Sequence, residues 1–183
     1  MAWVDPEIVA DEVLRQTGPP RLSNGIAIDV DKIIRTRHGV DVAGVPDVVL
    51  GGQKLAGLYA PEFYVVVVEA NDILPRQRFT LGHELGHIEL HHKSKSMQPL
   101  FEIEPEPTSY RCTVKDLSGS VADARRRMRE VAANRFAAAV LMPKGLVREV
   151  WSKRMDDAQC ASDLGVSLQA IRIRLEQLFG KRQ

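Results

Sequence analysis

Residues 78 to 87 read Arg78-Phe79-Thr80-Leu81-Gly82-His83-Glu84-Leu85-Gly86-His87. They lie in a run whose apolar residues Phe79, Leu81, Leu85, Ile88 and Leu90 recur at helical spacing. The run begins behind Pro75, a residue favoured in a first helical turn. One helix therefore carries two His four residues apart, with Glu84 directly after the first. Imidazoles one turn apart stand about 6 Å from each other at Cβ and can converge on one cation, while the carboxylate between them reaches a water rather than the cation. Zinc lowers the pKa of such a water from about 15.7 to about 7, so Glu84 can take its proton and later deliver it to a leaving amine. Peptide hydrolysis is the reaction that suits this arrangement.

Gly82 and Gly86 sharpen the reading. Each Gly inside a helix costs about 1 kcal/mol relative to Ala. Two of them at i and i+4 form a flat stripe that lets another backbone approach closely. Four of the five His fall within residues 83 to 92, which makes His91 a candidate third ligand. At 1.5 Å rise per residue, however, His83 and His91 are about 12 Å apart along the axis. His91 and His92 are expected to close the helix, where cations favour the carboxyl end, and His38 to be a solvated helix-end residue.

Catalytic zinc takes three protein ligands and keeps one position open, so a further acid or His must come from elsewhere. Glu130 fits, because it lies on a second helical run from about Val121 to Pro143 that is otherwise poor in acids. Asn134 shares its face one turn on and is placed to accept a hydrogen bond from a ligating imidazole, fixing its tautomer. Glu89 lies about 200° around the helix from His87. Glu102, Glu104 and Glu106 sit in a Pro-rich stretch where ordering a ligand costs about 1 to 2 kcal/mol of backbone entropy per residue.

Together, residues 78 to 87 and the run Glu130-xx-Ala133-Asn134-x-Phe136-Ala137-Ala138-xx-Leu141-Met142-Pro143 resemble the ImmA/IrrE family of metallopeptidases. The resemblance is close over residues 76 to 143. It implies a gluzincin-like core, one zinc ion (or another divalent metal) held by His83, His87 and Glu130, and Glu84 as general base. It also implies a protein partner, because better-known members cleave helix-turn-helix repressors in bacteria and so switch on stress or excision genes. Gly82 replaces the commoner Ala before the first His. Ala132 stands where many relatives carry another acid, which leaves Glu130 the only carboxylate nearby.

Composition narrows the remaining choices. The chain has 183 residues, with 25 Lys and Arg against 24 Asp and Glu, and so lacks the global charge of a dedicated nucleic-acid binder. A chain this long buries about two thirds of its unfolded surface and needs no structural metal to fold. Its longest apolar stretch, Phe136 to Met142, is far short of the ~20 residues that span a bilayer. No export signal is visible at the acidic amino terminus. Cys112 and Cys160 have no metal-ligand spacing and read as ordinary thiols, so a reducing cytoplasm is the expected location.

The expected fold class is α+β. Helices are predicted over residues 6 to 16 and from Val30 to Gly39, followed by short strands around Val40 to Val42 and Val48 to Leu50. Leu55 to Ala60 and Phe63 to Glu69 flank the turn Pro61-Glu62, and the whole set predicts a small antiparallel sheet packed on the two central helices. Residues 93 to 117 read as a long irregular loop. A metallopeptidase domain over 1–150 and a helical pair over 151–183, with Ser167 capping Leu168 to Phe179, complete the expectation.

Three other readings compete with the simple one. Leu164 to Ser167 resembles a helix-turn-helix corner, with Gln169, Arg172 and Arg174 facing bases; the plainer alternative is a packed helical pair with both arginines solvated. The run Arg125-Arg126-Arg127 with Arg129 suits nucleic acid, an acidic partner or a solvated helix face. The fold can also serve as a binding module without turnover, although all four motif residues are present. The strand Phe63 to Glu69 offers an edge for a substrate backbone or is a buried strand, and Tyr110, His91 and His92 are candidates to stabilise an oxyanion.

Overall fold

The computed structural model describes residues 4–92 and 121–180. The predicted loop 93 to 117, with Tyr110, Cys112 and Glu102, Glu104 and Glu106, lies outside them. Two helices open the chain, α1 (Pro6–Thr17) and α2 (Val30–His38), and both have predictable ends. Asp5 accepts from the Glu7 amide and Asp29 from the Lys32 amide, while Gly18 and Gly39 close the helices at φ 56° and 64°, the left-handed conformation that costs Gly least.

Five strands follow: β1 (Asp41–Val45), β2 (Val49–Leu50), β3 (Gln53–Lys54), β4 (Gly57–Ala60) and β5 (Val65–Glu69). A 3-10 turn, Pro61–Phe63, separates the last two. β2 and β3 form their own hairpin, while the main sheet has the order β1-β5-β4. Here the structure corrects the antiparallel expectation. β4 pairs antiparallel with β5, from Gly57↔Val68 to Ala60↔Val65, but β1 runs parallel to β5, from Asp41↔Val65 to Val45↔Glu69, so the sheet is mixed. β5 is therefore central and offers no edge. The Val65 to Val68 run gives the strand its β propensity, with Val66 and Val68 buried and Val65 and Val67 half-buried, but does not by itself tell its neighbours.

Behind the sheet lie the two central helices, α3 (Leu74–His87) and α4 (Val121–Leu141). The glycine stripe does what its spacing implies. A Cβ on Gly82 would lie 3.2 Å from the Ala137 Cβ, and one on Gly86 would lie 3.1 Å from the Ala133 Cα, so the two helices meet nearly backbone to backbone. Tyr59, Val66 and Val68 of the sheet, Leu85 of α3 and Phe136 and Val140 of α4 join Val13, Ile33 and Ile34 in one core.

Three more helices follow Pro143: α5 (Lys144–Arg154), α6 (Asp157–Leu164) and α7 (Leu168–Phe179). α5 runs across residue 150, and its Val147 and Val150 are buried in the same core as Leu164, Ile171 and Leu175. As predicted, the Ser167 side chain caps α7 by accepting from the Ala170 amide at 3.1 Å. Two arginines lock these helices down. Arg78 of α3 donates to the carbonyls of Gly165, Leu164 and Ile28. Arg174 is neither solvated nor presented to a partner. It is 3% exposed and donates to the Met142 carbonyl at 3.1 Å and to Glu7 Oε1 at 2.7 Å. Burial alone would raise the Glu7 carboxyl, but hydrogen bonds from Arg174 and Lys144 outweigh it and hold its pKa at about 2.

Three stability measurements test this packing. Gly86→Ala should lower the unfolding free energy by about 1 to 3 kcal/mol through overpacking, despite the better helix propensity of Ala. In α5, nothing lies within 4 Å of a Cβ built on Gly145, so Gly145→Ala should be neutral or stabilise by up to about 1 kcal/mol. Because the Glu7 pKa is depressed, its contribution is complete above its ordinary value of 4.5 and is lost as pH falls from there toward 2. The stability difference between wild type and Glu7→Gln, followed by urea unfolding, should shrink over that window.

Candidate metal and catalytic site

α3 presents His83 and His87 on one side of its glycine stripe, and α4 brings Glu130 to meet them. The imidazole Nε2 atoms of the two His lie 2.9 Å apart, and Glu130 reaches them with Oε2 at 3.2 Å from His83 and Oε1 at 3.5 Å from His87. Among the described residues these three form the group able to hold a metal ion. The separations fit one, because two donors about 2.05 Å from a tetrahedral centre lie about 3.3 Å from each other. The donor chemistry fits as well. Two imidazole nitrogens and a carboxylate converge favourably only on a cation or a shared proton.

Asn134, one turn beyond Glu130, places Oδ1 at 2.8 Å from Nδ1 of His83. With the amide oxygen as acceptor, the ring proton sits on Nδ1 and the Nε2 lone pair faces the cluster. Both His are buried, whereas the Glu130 side chain keeps a quarter of its exposure, so the carboxylate marks the solvent side of the site.

Electrostatics separate the two acids. Burial would raise Glu130, but its contacts with His83 and His87 outweigh it and hold the carboxyl at about 2. Burial lowers the pKa of His87. Both therefore favour the protonation states that ligate a metal. Glu84 goes the other way. It is wholly buried, neither carboxylate oxygen completes a hydrogen bond among the described residues, and desolvation pushes its pKa up to about 7 against the opposing pull of His83. A buried carboxyl raised toward neutrality beside a group able to hold a metal ion is an arrangement that suits general base chemistry.

β4 completes the surroundings. The Glu69 amide bonds the Ala56 carbonyl at 2.8 Å, which sets the phase of the antiparallel pair. Leu58 and Ala60 bond β5, and Gly57 and Tyr59 turn their backbone groups outward. The Tyr59 amide is directed at Glu84, and a Cβ on Gly57 would lie 2.5 Å from the Thr80 methyl, so β4 lies close along α3. Extended backbone beside the site is thus supplied by β4, not by β5.

Several residues fall away from the site. Glu89 points elsewhere, as its spacing implies, and accepts from Arg37 and contacts His38. His38 is therefore not solvated: its side chain keeps 13% exposure and its Nε2 lies 2.8 Å from Glu89 Oε1. Spacing alone hides this pairing, because its partners are 51 residues apart in sequence. His91 and His92 belong to a π-helical turn, Ile88–His92, that continues α3. In the helix-turn-helix-like segment, Arg172 is exposed and paired with Asp157, while Arg174 is consumed in the core. In the arginine run, Arg126 is exposed and Arg127 half-buried.

No helix among the described residues is long and apolar enough to cross a membrane. No curated protein is similar enough to the chain to match it. Among solved structures, the chain is similar in fold to a Mycobacterium tuberculosis transcriptional regulator, with a TM-score of 0.65 and 22% identity, over 98% of this chain and 48% of that one. The chain thus spans about half the length of that regulator. A family model, the IrrE N-terminal-like domain of Peptidase_M78, matches residues 35–176. This match takes in the His pair, Glu130, α5, α6 and most of α7, and it shows that the chain belongs to the Peptidase_M78 family of IrrE-like domains.

Proposed function

We propose that this chain is a zinc-dependent endopeptidase in which His83, His87 and Glu130 hold the ion and Glu84 is the general base. The convergence of the two His and Glu130 beside a buried, unpaired Glu84 carries this reading. Zinc, when bound, supplies a water of lowered pKa and polarises a carbonyl. The chain's own residues do the rest. Glu84, in a dry site with its pKa near 7, accepts a proton on its carboxylate and returns it to the leaving amine. Asn134 keeps the His83 ring in the tautomer whose Nε2 faces the ion. The outward face of β4 is the natural place for an extended substrate backbone, which would add to the sheet as a further strand.

The substrate in this proposal is a helix-turn-helix transcriptional repressor, cut in the cytoplasm to derepress its genes. The ImmA/IrrE resemblance supports that choice, and the fold shared with a transcriptional regulator accords with a role in gene control. The competing reading, a DNA-binding or partner-binding module built on α6 and α7, retains exposed Gln169 and Arg172 but has lost Arg174 to the core.

Three variants test the proposal. Zinc measured after gel filtration should be lost from Glu130→Ala and retained in the exposed control Glu176→Ala; equal zinc in both would refute the ligand set. Glu84→Gln should keep fold and metal while cleavage falls at least about 100-fold. Expressed in a bacterial host, the wild type but not Glu84→Gln should shorten a repressor protein, and cleavage at wild-type rate by the variant would sink the mechanism. A tight, sequence-specific DNA complex at physiological salt, abolished by Arg172→Ala, would favour the competing reading.

A further inference from the structure

The helix that carries the His pair changes character immediately after the second of them. The Ile88 amide is shared between the carbonyls of Glu84 and Leu85, and residues Ile88–His92 continue as a π-helical turn. Such wide turns are rare, occur mostly as single turns within α-helices, and persist where other contacts hold them. Here the contact is long-range. Glu89, the second residue of the turn, has a side chain only 2% exposed, and its Oε1 accepts from Arg37 Nε at 2.6 Å and lies 2.8 Å from His38 Nε2. Both partners end α2, and Arg37 also donates from Nη1 to Gln16 of α1 at 2.7 Å. One arginine thus ties α1 and α2 to the turn that directly follows His87.

We propose that Arg37 is a positioning residue for the metal centre: through Glu89 it holds the π-helical turn and so fixes the angle at which His87 meets the ion. The inference rests on the metal-centre reading given above. His87 has its backbone at the last residue of α3, where the helix would otherwise be free to unwind or rewind by one hydrogen bond. Its ring must be held within a fraction of an ångström to complete a tetrahedral site. The glycine stripe fixes α3 against α4 on one side, but it ends at Gly86. Beyond that point Glu89 and its two partners on α2 supply a lateral restraint. Removing Arg37 would leave a buried carboxylate short of a cationic partner two residues from a ligand, and the turn would relax to bring that charge toward water.

The test compares wild type with Arg37→Met, Arg37→Lys and Glu89→Gln. Zinc affinity is measured by competition with a chromophoric chelator, the d–d absorption of the cobalt(II)-loaded chain reports ligand geometry, and thermal unfolding of the metal-free chain reports the fold. Arg37→Met should weaken zinc about 10- to 100-fold, as loss of an outer partner of a ligand does elsewhere, and shift the cobalt bands. Arg37→Lys, which keeps the charge but loses the second donor, should fall between. Zinc affinity and cobalt bands within twofold of wild type, with only a lowered unfolding temperature, would make the clamp merely structural and overturn the inference. If Arg37→Met does not fold, Arg37→Lys and Glu89→Gln carry the same two outcomes. A wild type that binds neither ion overturns the metal-centre reading together with this inference, whereas equal binding by wild type and variants overturns the inference alone.

Discussion

Everything at the site depends on how closely α3 and α4 approach. Gly82 and Gly86 remove the Cβ atoms that would hold the helices apart, and Ala133 and Ala137 are the smallest side chains that can face them. Glu130, Ala133, Asn134 and Ala137 fall within about 100° of one another around α4. The residues that touch the glycine stripe are therefore on the same face as those that reach the His pair. Larger residues at the contact would move the Glu130 carboxylate away from the imidazoles. The helix propensity lost at the two glycines is offset by the packing and the convergence it permits.

That close packing also sets the electrostatics. His83, Glu84 and His87 are all buried, none more than 1% exposed. In such surroundings two carboxylates on facing helices behave oppositely. Glu130 meets two imidazoles and is held anionic, whereas Glu84 is wholly buried, completes no hydrogen bond among the described residues and is pushed toward its neutral form by desolvation. Such a split suits the different tasks that the proposed function gives them, one as ligand and one as proton carrier.

The carboxy-terminal helices show how a recognisable local motif can be absorbed into packing. α6, the turn at Gly165 and α7 have the order of a DNA-reading pair, yet the turn's carbonyls are taken by Arg78 of the His-bearing helix, and Arg174 is spent on Glu7 and the end of α4. These contacts join residues from 32 to 167 positions apart, so the carboxy-terminal helices are built onto the same core as the site. The family match, which extends to residue 176, takes in α6, the turn at Gly165 and most of α7.

The sequence by itself determined the local features: the helix bearing the His pair, the glycine stripe, the cap at Ser167, and the pairing of Glu130 with Asn134 on one face. Each rests on contacts within about four residues, where spacing and side-chain chemistry are enough. What joins distant segments was decided only by the tertiary structure. Nothing local shows that β1 lies parallel to β5, since strand order depends on which distant strand arrives alongside. Nothing local shows that His38 and Arg37 close on Glu89, or that Arg174 turns inward to Glu7. A charged side chain reads as solvated until a partner of opposite charge, brought from far along the chain, makes its burial possible.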